Sequence, residues 1–303
     1  MLGASVARAD TFASVTTLDP GARAQLESAI VSAHARDAGA FDAVRSVVAR
    51  ADELDHQRRG RFYPMATLLR GTTRGRAGAA FALLEPLIEP QHFAMPQSDS
   101  ARIALRAGLL EAAGDRKEPA AAPVFRTIVN TGTEFYEVRA AAEALGKLGL
   151  DADVAMLAHL ATTSGPNQGA VIAGLGDCRR LGAAHALEAV AAQKPTGLMA
   201  KHLLRSVEMM GSAWTLAIPN AAPPAEVQGI RDATARAAFA MFVSTAEADV
   251  RTDASNALIV IAAPDTPQWI ASARASAPSD RVAMLDGLAD RFAHNPSTIR
   301  RTP

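Results

Sequence analysis

Val138-Arg139-Ala140-Ala141-Ala142-Glu143-Ala144-Leu145-Gly146-Lys147-Leu148-Gly149 is the stretch on which the fold turns, because looser copies of it stand on both sides at spacings near thirty residues. Leu145, Leu175 and Val207 mark one position of the copy at steps of 30 and 32 residues, and Phe125, Leu157 and Leu187 mark the helix before it at steps of 32 and 30. Two markers that keep step independently indicate a repeated unit. A period of this length is one helical hairpin, which buries its apolar face by stacking on the next. The spacing predicts an all-α chain, a right-handed α-α superhelix (solenoid) of about seven helical hairpins.

Working outward, the apolar stripes place further helices. Leu26, Ile30 and Val31 predict a first helix, and Phe41, Val44, Val47 and Val48 a second, both at i, i+3, i+4, i+7 spacing. Phe62, Met65, Leu68 and Leu69 predict its partner; Phe81, Leu84 and Ile88 then face Ile103, Ala107 and Leu110 across a long connection, residues 89–98. On the C-terminal side, residues 154–160 pair with 169–175, and 186–192 with 199–210, each pair split by a glycine and proline break. Ile218-Pro219-Asn220-Ala221-Ala222-Pro223-Pro224 is the strongest break, so any subdivision falls near 217–225. Beyond it Val250-Arg251, Ala254 and Leu258 restore the signature, and Trp269 and Ile270 pair with Val282, Leu285 and Leu288. Residues 1–20 form a flexible N-terminal segment, 21–294 the repeat array and 295–303 a frayed tail. Glycines 146, 149, 174, 176 and 211 fall at helix ends, as left-handed caps or close-packing positions.

Composition excludes several classes of function. Hydrophobic residues make up 49% of the chain and aromatics only 5%; the abundant alanine favours helices and lets neighbours approach closely. With 31 basic and 31 acidic residues there is no net field to draw the protein to DNA or an anionic membrane. The basic residues are arginine except Lys117, Lys147, Lys194 and Lys201, a skew expected of a GC-rich genome and given no functional weight. No apolar run reaches the roughly 20 residues of a membrane span. A single cysteine, Cys178, rules out an internal disulfide or thiolate metal cluster within one chain, and its apolar setting predicts a small buried side chain. Ala7-Arg8-Ala9 before Asp10 has the A-x-A form of a signal-cleavage site, which leaves two readings: an exported, periplasmic protein whose start lies upstream, or a cytoplasmic one with an alanine-rich terminus.

The units resemble HEAT repeats (armadillo-type), in particular the short bacterial variety. Pro123, Val124 and Phe125 match the opening of the first helix in that family, and residues 138–149 match its second-helix pattern V-R-x-x-A-x-x-A-L-G-x-L-G. Val250-Arg251 with Ala254 and Leu258 matches in part, the leucine falling one position late, while 169–176 and 200–211 keep the small and apolar positions without the Val-Arg pair. The resemblance is specific for fold and unspecific for function. It implies that the valine, alanine and leucine positions pack against neighbouring helices and that Arg139 and Arg251 reach a carboxylate or carbonyl of an adjacent unit.

Candidate chemistry is sparse. Arg58, Arg59, Arg61, Arg70, Arg74 and Arg76 fall in one stretch with no acidic residue between 56 and 84. They could meet an anionic partner; the competing reading is a helix edge neutralised by acidic side chains of other units. The seven histidines are scattered, without H-x-x-x-H spacing or the His-Glu dipeptides with which some HEAT-like enzymes hold iron, so no metal is expected. Neither a phosphate-cradling Gly-Lys-Ser/Thr loop nor a G-x-S-x-G elbow occurs. No cofactor is implied, and Trp214 and Trp269 read as packing between units. The expectation is a scaffold without catalysis of its own, binding a protein or peptide partner on a concave face lined by the second helices. Nucleic-acid binding of the DNA-glycosylase-like kind and a bilin-lyase-like role, both known among HEAT-like proteins, are the alternatives; neutral charge and few aromatics weigh against nucleic acid.

Overall fold

Asp19 and Pro20 show how local chemistry starts a helix here. The Asp19 carboxylate accepts the Ala22 N–H at 3.0 Å, and Pro20 stands at the first helical position, where its missing N–H costs nothing. The computed structural model describes residues 18–56 and 64–295. Among these, all regular structure is helical and there is no strand. The chain divides into two compact units, residues 1–148 and 149–303. The 218–224 break lies inside the second, joining two of its helices.

In the first unit, α1 (Pro20–Arg36), α2 (Ala38–Ala49), α3 (Ala51–His56), α4 (Met65–Thr72), α5 (Ala79–Ile88), α6 (Asp99–Gly114), α7 (Ala122–Thr131) and α8 (Phe135–Leu148) follow in order. Helices α4, α6 and α8 pack side by side, α5 lies against α1 and α2, and α7 against α8. Leu26, Ile30 and Ala33 bury the stripe of α1. Val31, predicted to join them, is instead 70% exposed, because it stands one residue, about 100°, off that stripe. The second-helix stretch behaves as its pattern requires: Val138, Ala141, Ala142 and Leu145 have no exposed surface.

The second unit comprises α9 (Asp151–Thr162), α10 (Gln168–Gly174), α11 (Leu181–Ala192), α12 (Gly197–Gly211), α13 (Ala213–Leu216), α14 (Val227–Ser244), α15 (Ala248–Ile261), α16 (Thr266–Ser276) and α17 (Ser279–Ala293). Its pairs are local hairpins, and they form two rows: α9, α11 and α14 in one, α10, α12, α15 and α17 in the other. Two of the singled-out glycines have distinct reasons. Gly149 has φ +65°, the left-handed conformation that ends a helix at no steric cost. Gly211 is a contact position, since a Cβ there would overlap the Thr234 hydroxyl of α14.

The two signature arginines part company. Arg139 donates from Nη2 to Glu111 Oε1 on α6 at 2.5 Å, the bond to an adjacent helix pair that the repeat pattern predicts. Arg251 donates instead to the Thr245 carbonyl at 2.6 Å, in the turn just before its own helix, so it fastens its own hairpin. The tryptophans differ as well. Trp269 packs near Phe239 of α14, ring centroids 6.3 Å apart, while Trp214 is 62% exposed and does not serve as packing between units.

Candidate functional site

Two of the three described arginines of the stretch, Arg70 and Arg76, stand in ion pairs with acidic side chains of other segments. Arg70 on α4 donates to the Asp115 carboxylate and stands 3.9 Å from Glu111; Arg76 lies 3.5 Å from Asp37; Arg74 is exposed. Arg58, Arg59 and Arg61 lie outside the described residues, as do Ala7, Ala9 and Asp10. Asp115 also meets Lys147 Nζ of α8 at 2.6 Å. Burial works to raise the Asp115 carboxyl, yet the Lys147 ammonium and Arg70 guanidinium outweigh it and hold the group below the usual carboxylate range. This part of the stretch acts as a clamp across α4, α6 and α8, as the neutralised reading anticipates.

An open surface lies on the second unit. Leu198, Lys201, Arg205, Glu208 and Met209 of α12 fall within roughly 100° of one helical face. Lys201, Leu204, Arg205 and Glu208 form one wall of a groove of about 270 Å³, and Asp253 and Asn256 of α15 the other. That volume is below the range of small-molecule pockets, about 300–1,000 Å³, and suits side chains of an incoming segment. Lys201 Nζ pairs with Asp249 at 2.6 Å, and burial raises the Glu208 carboxyl against the pull of Arg205. Of the seven large exposed apolar residues among the described residues, four, Leu198, Met209, Trp214 and Ile218, lie on α12 or in the segment 212–218 that follows it.

A second constellation, in the first unit, went unread in the sequence. Glu85 and Glu89 stand one turn apart at the end of α5, and a 3-10 turn, Pro90–His92, folds His92 back toward them. One ligand atom from each residue lies within 4.8 Å of the others, with His92 Nδ1 3.3 Å from Glu89 Oε2. Glu85 is 8% exposed, and its Oε2 is buried without a hydrogen-bond partner. Burial pushes the Glu85 carboxyl above the usual range; Arg45, His34 and His92 pull the other way, and Glu89 adds to the rise. The available signal was the spacing E-x-x-x-E-x-x-H, masked because Glu85 sits inside the apolar run 81–88 and His92 in the long connection.

Cys178 is buried with no exposed surface, and burial pushes its thiol up to about 12, against the pull of Arg180 and Arg179. It is a packing residue, as expected, because the thiolate needed for nucleophilic or redox chemistry is suppressed. Comparison with known proteins gives no match to any family model, curated protein or solved structure.

Proposed function

We propose that the protein is a HEAT-like repeat scaffold, a right-handed α-α superhelix of about seven hairpins, which binds a protein or peptide segment on its concave second-helix face and carries out no catalysis of its own. The observation that carries this reading is that α12 and the segment that follows it carry Leu198, Met209, Trp214 and Ile218, four of the seven large exposed apolar residues among the described residues. Met and Trp are enriched at interaction surfaces. The row α10, α12, α15 and α17 supports the superhelix, since each helix meets the next in the manner of a stacked array. Both signs of charge line the groove, Lys201 and Arg205 with Glu208 and Asp253. Such a lining favours a polypeptide of mixed charge, and its carboxylates repel a phosphate backbone.

A photo-crosslinking residue at Met209 tests the reading, with the same residue at exposed Ala289 of α17 as control. Irradiation in cells is expected to give a discrete protein adduct from position 209, absent from 289 and lost on Trp214→Asp. The same diffuse pattern from both positions would refute the proposal.

A further inference from the structure

Glu85 poses a physical problem that its surroundings leave open. A buried carboxylate oxygen without a hydrogen bond carries a desolvation cost that native structures ordinarily relieve, yet none of the described residues bonds to Oε2. Arg45, whose charge favours the ionised form, lies over the Phe93 ring, 5.2 Å from its centroid. The groups nearest the carboxylate include two further metal-ligating side chains, Glu89 and His92. We infer that Glu85, Glu89 and His92 form a binding site for one divalent transition-metal ion, with zinc the ion that suits the donors best.

Geometry and chemistry agree. Zinc bonds of about 2.0–2.1 Å place neighbouring tetrahedral ligands roughly 3.3–3.4 Å apart, and Glu89 Oε2 and His92 Nδ1 already stand at 3.3 Å. Glu85 brings a carboxylate oxygen within 4.8 Å of both, the third donor of the group. An imidazole nitrogen with two carboxylates selects zinc, manganese or iron over calcium and magnesium, and zinc exceeds manganese and iron in affinity for such a site. The site lies at the C-terminal end of α5, where unsatisfied carbonyls add a negative field that favours a cation. Glu85 on α5 and Glu89, its C-cap residue four positions on, repel one another, and a shared cation turns that repulsion into coordination. Half-exposed His92 leaves a path by which the ion enters. Arg45 opposes the cation by charge, so the affinity falls below that of a structural zinc cage. The site is in the first unit and does not depend on the partner-binding surface of the second.

Titration of the full chain, stripped of metal, with zinc chloride in a calorimeter tests the inference. One zinc per chain is expected. Glu85→Gln and His92→Ala should each weaken it at least about tenfold, with helical circular dichroism unchanged. Asp290→Asn, at the exposed pair His294–Asp290, should leave binding as in the parent and so distinguishes adventitious surface zinc. Cobalt(II) is expected to give a visible absorption band that Glu85→Gln removes. No binding by the parent chain, or binding that survives both Glu85→Gln and His92→Ala, would overturn the inference.

Discussion

Glu137 and Glu85 are both buried glutamates of the first unit, and the chain treats them in opposite ways. Glu137, at the start of α8, accepts a hydrogen bond from Arg106 Nε of α6 at 2.8 Å, the two side chains being 7% and 2% exposed. Glu85 has no such bond at Oε2. A buried charge met by a well-placed opposite charge can specify how two helices meet, whereas an unmet one stands at a site with an unfilled role. The contrast sets a carboxylate engaged by a guanidinium beside one whose Oε2 has no hydrogen bond.

The largest expected effect comes from breaking the paired case. Glu137→Ala removes the carboxylate that accepts from Arg106 Nε and should lower stability by about 3–5 kcal/mol in urea denaturation. The double variant Arg106→Met, Glu137→Leu should recover most of that loss, because desolvating two charges largely offsets their attraction. A single variant as stable as the parent would remove the distinction drawn here.

Glu85→Leu should act in the other direction. In metal-free protein it removes an unsatisfied buried acceptor and should raise stability by about 1–2 kcal/mol, read as a higher urea midpoint. A loss comparable to that of Glu137→Ala would mean that Glu85 has a structural partner after all.

The smallest effect concerns a carboxylate paired at the surface. Asp115, side chain 30% exposed, is held below its ordinary value by Lys147 and Arg70 against the opposing effect of burial. A depressed carboxyl stabilises the fold above its unfolded value, near 4, and that contribution is lost as pH falls through the lower folded value. Asp115→Asn should therefore cost under about 1 kcal/mol at neutral pH. The gap from the parent should close as pH falls below about 4, followed by urea midpoints across the acid range. A gap independent of pH would place the effect in packing and not in charge.

What could be read in advance follows the same division between pattern and encounter. The helix at 138–149 was legible because its valine, alanines and leucine repeat at helical spacing, and one burying face is a local property. The partner of Arg139 was anticipated in kind, since the resemblance implies a carboxylate or carbonyl of an adjacent unit and Glu111 supplies the carboxylate. Arg251 carries the same two-residue signature but meets the turn before its own helix; which acceptor lies nearer is settled by loop geometry, and residue type carries no trace of it. Trp214 was misread because an aromatic in a repeat array ordinarily packs, while here a short helix after Gly211 turns it to solvent. Glu85 was hidden by its neighbours, since one carboxylate in the apolar run 81–88 looks like an ordinary edge residue until the 3-10 turn brings His92 beside it.

Urea unfolding of the full chain with and without zinc chloride at about a hundred times its dissociation constant tests the central contrast most directly. Binding to the folded state alone should stabilise the parent by about 2.7 kcal/mol, and Glu137→Gln should keep that increment on a lower baseline. Glu85→Leu should show none of it. Equal zinc increments in the parent and Glu85→Leu, or no increment in the parent, would contradict the account.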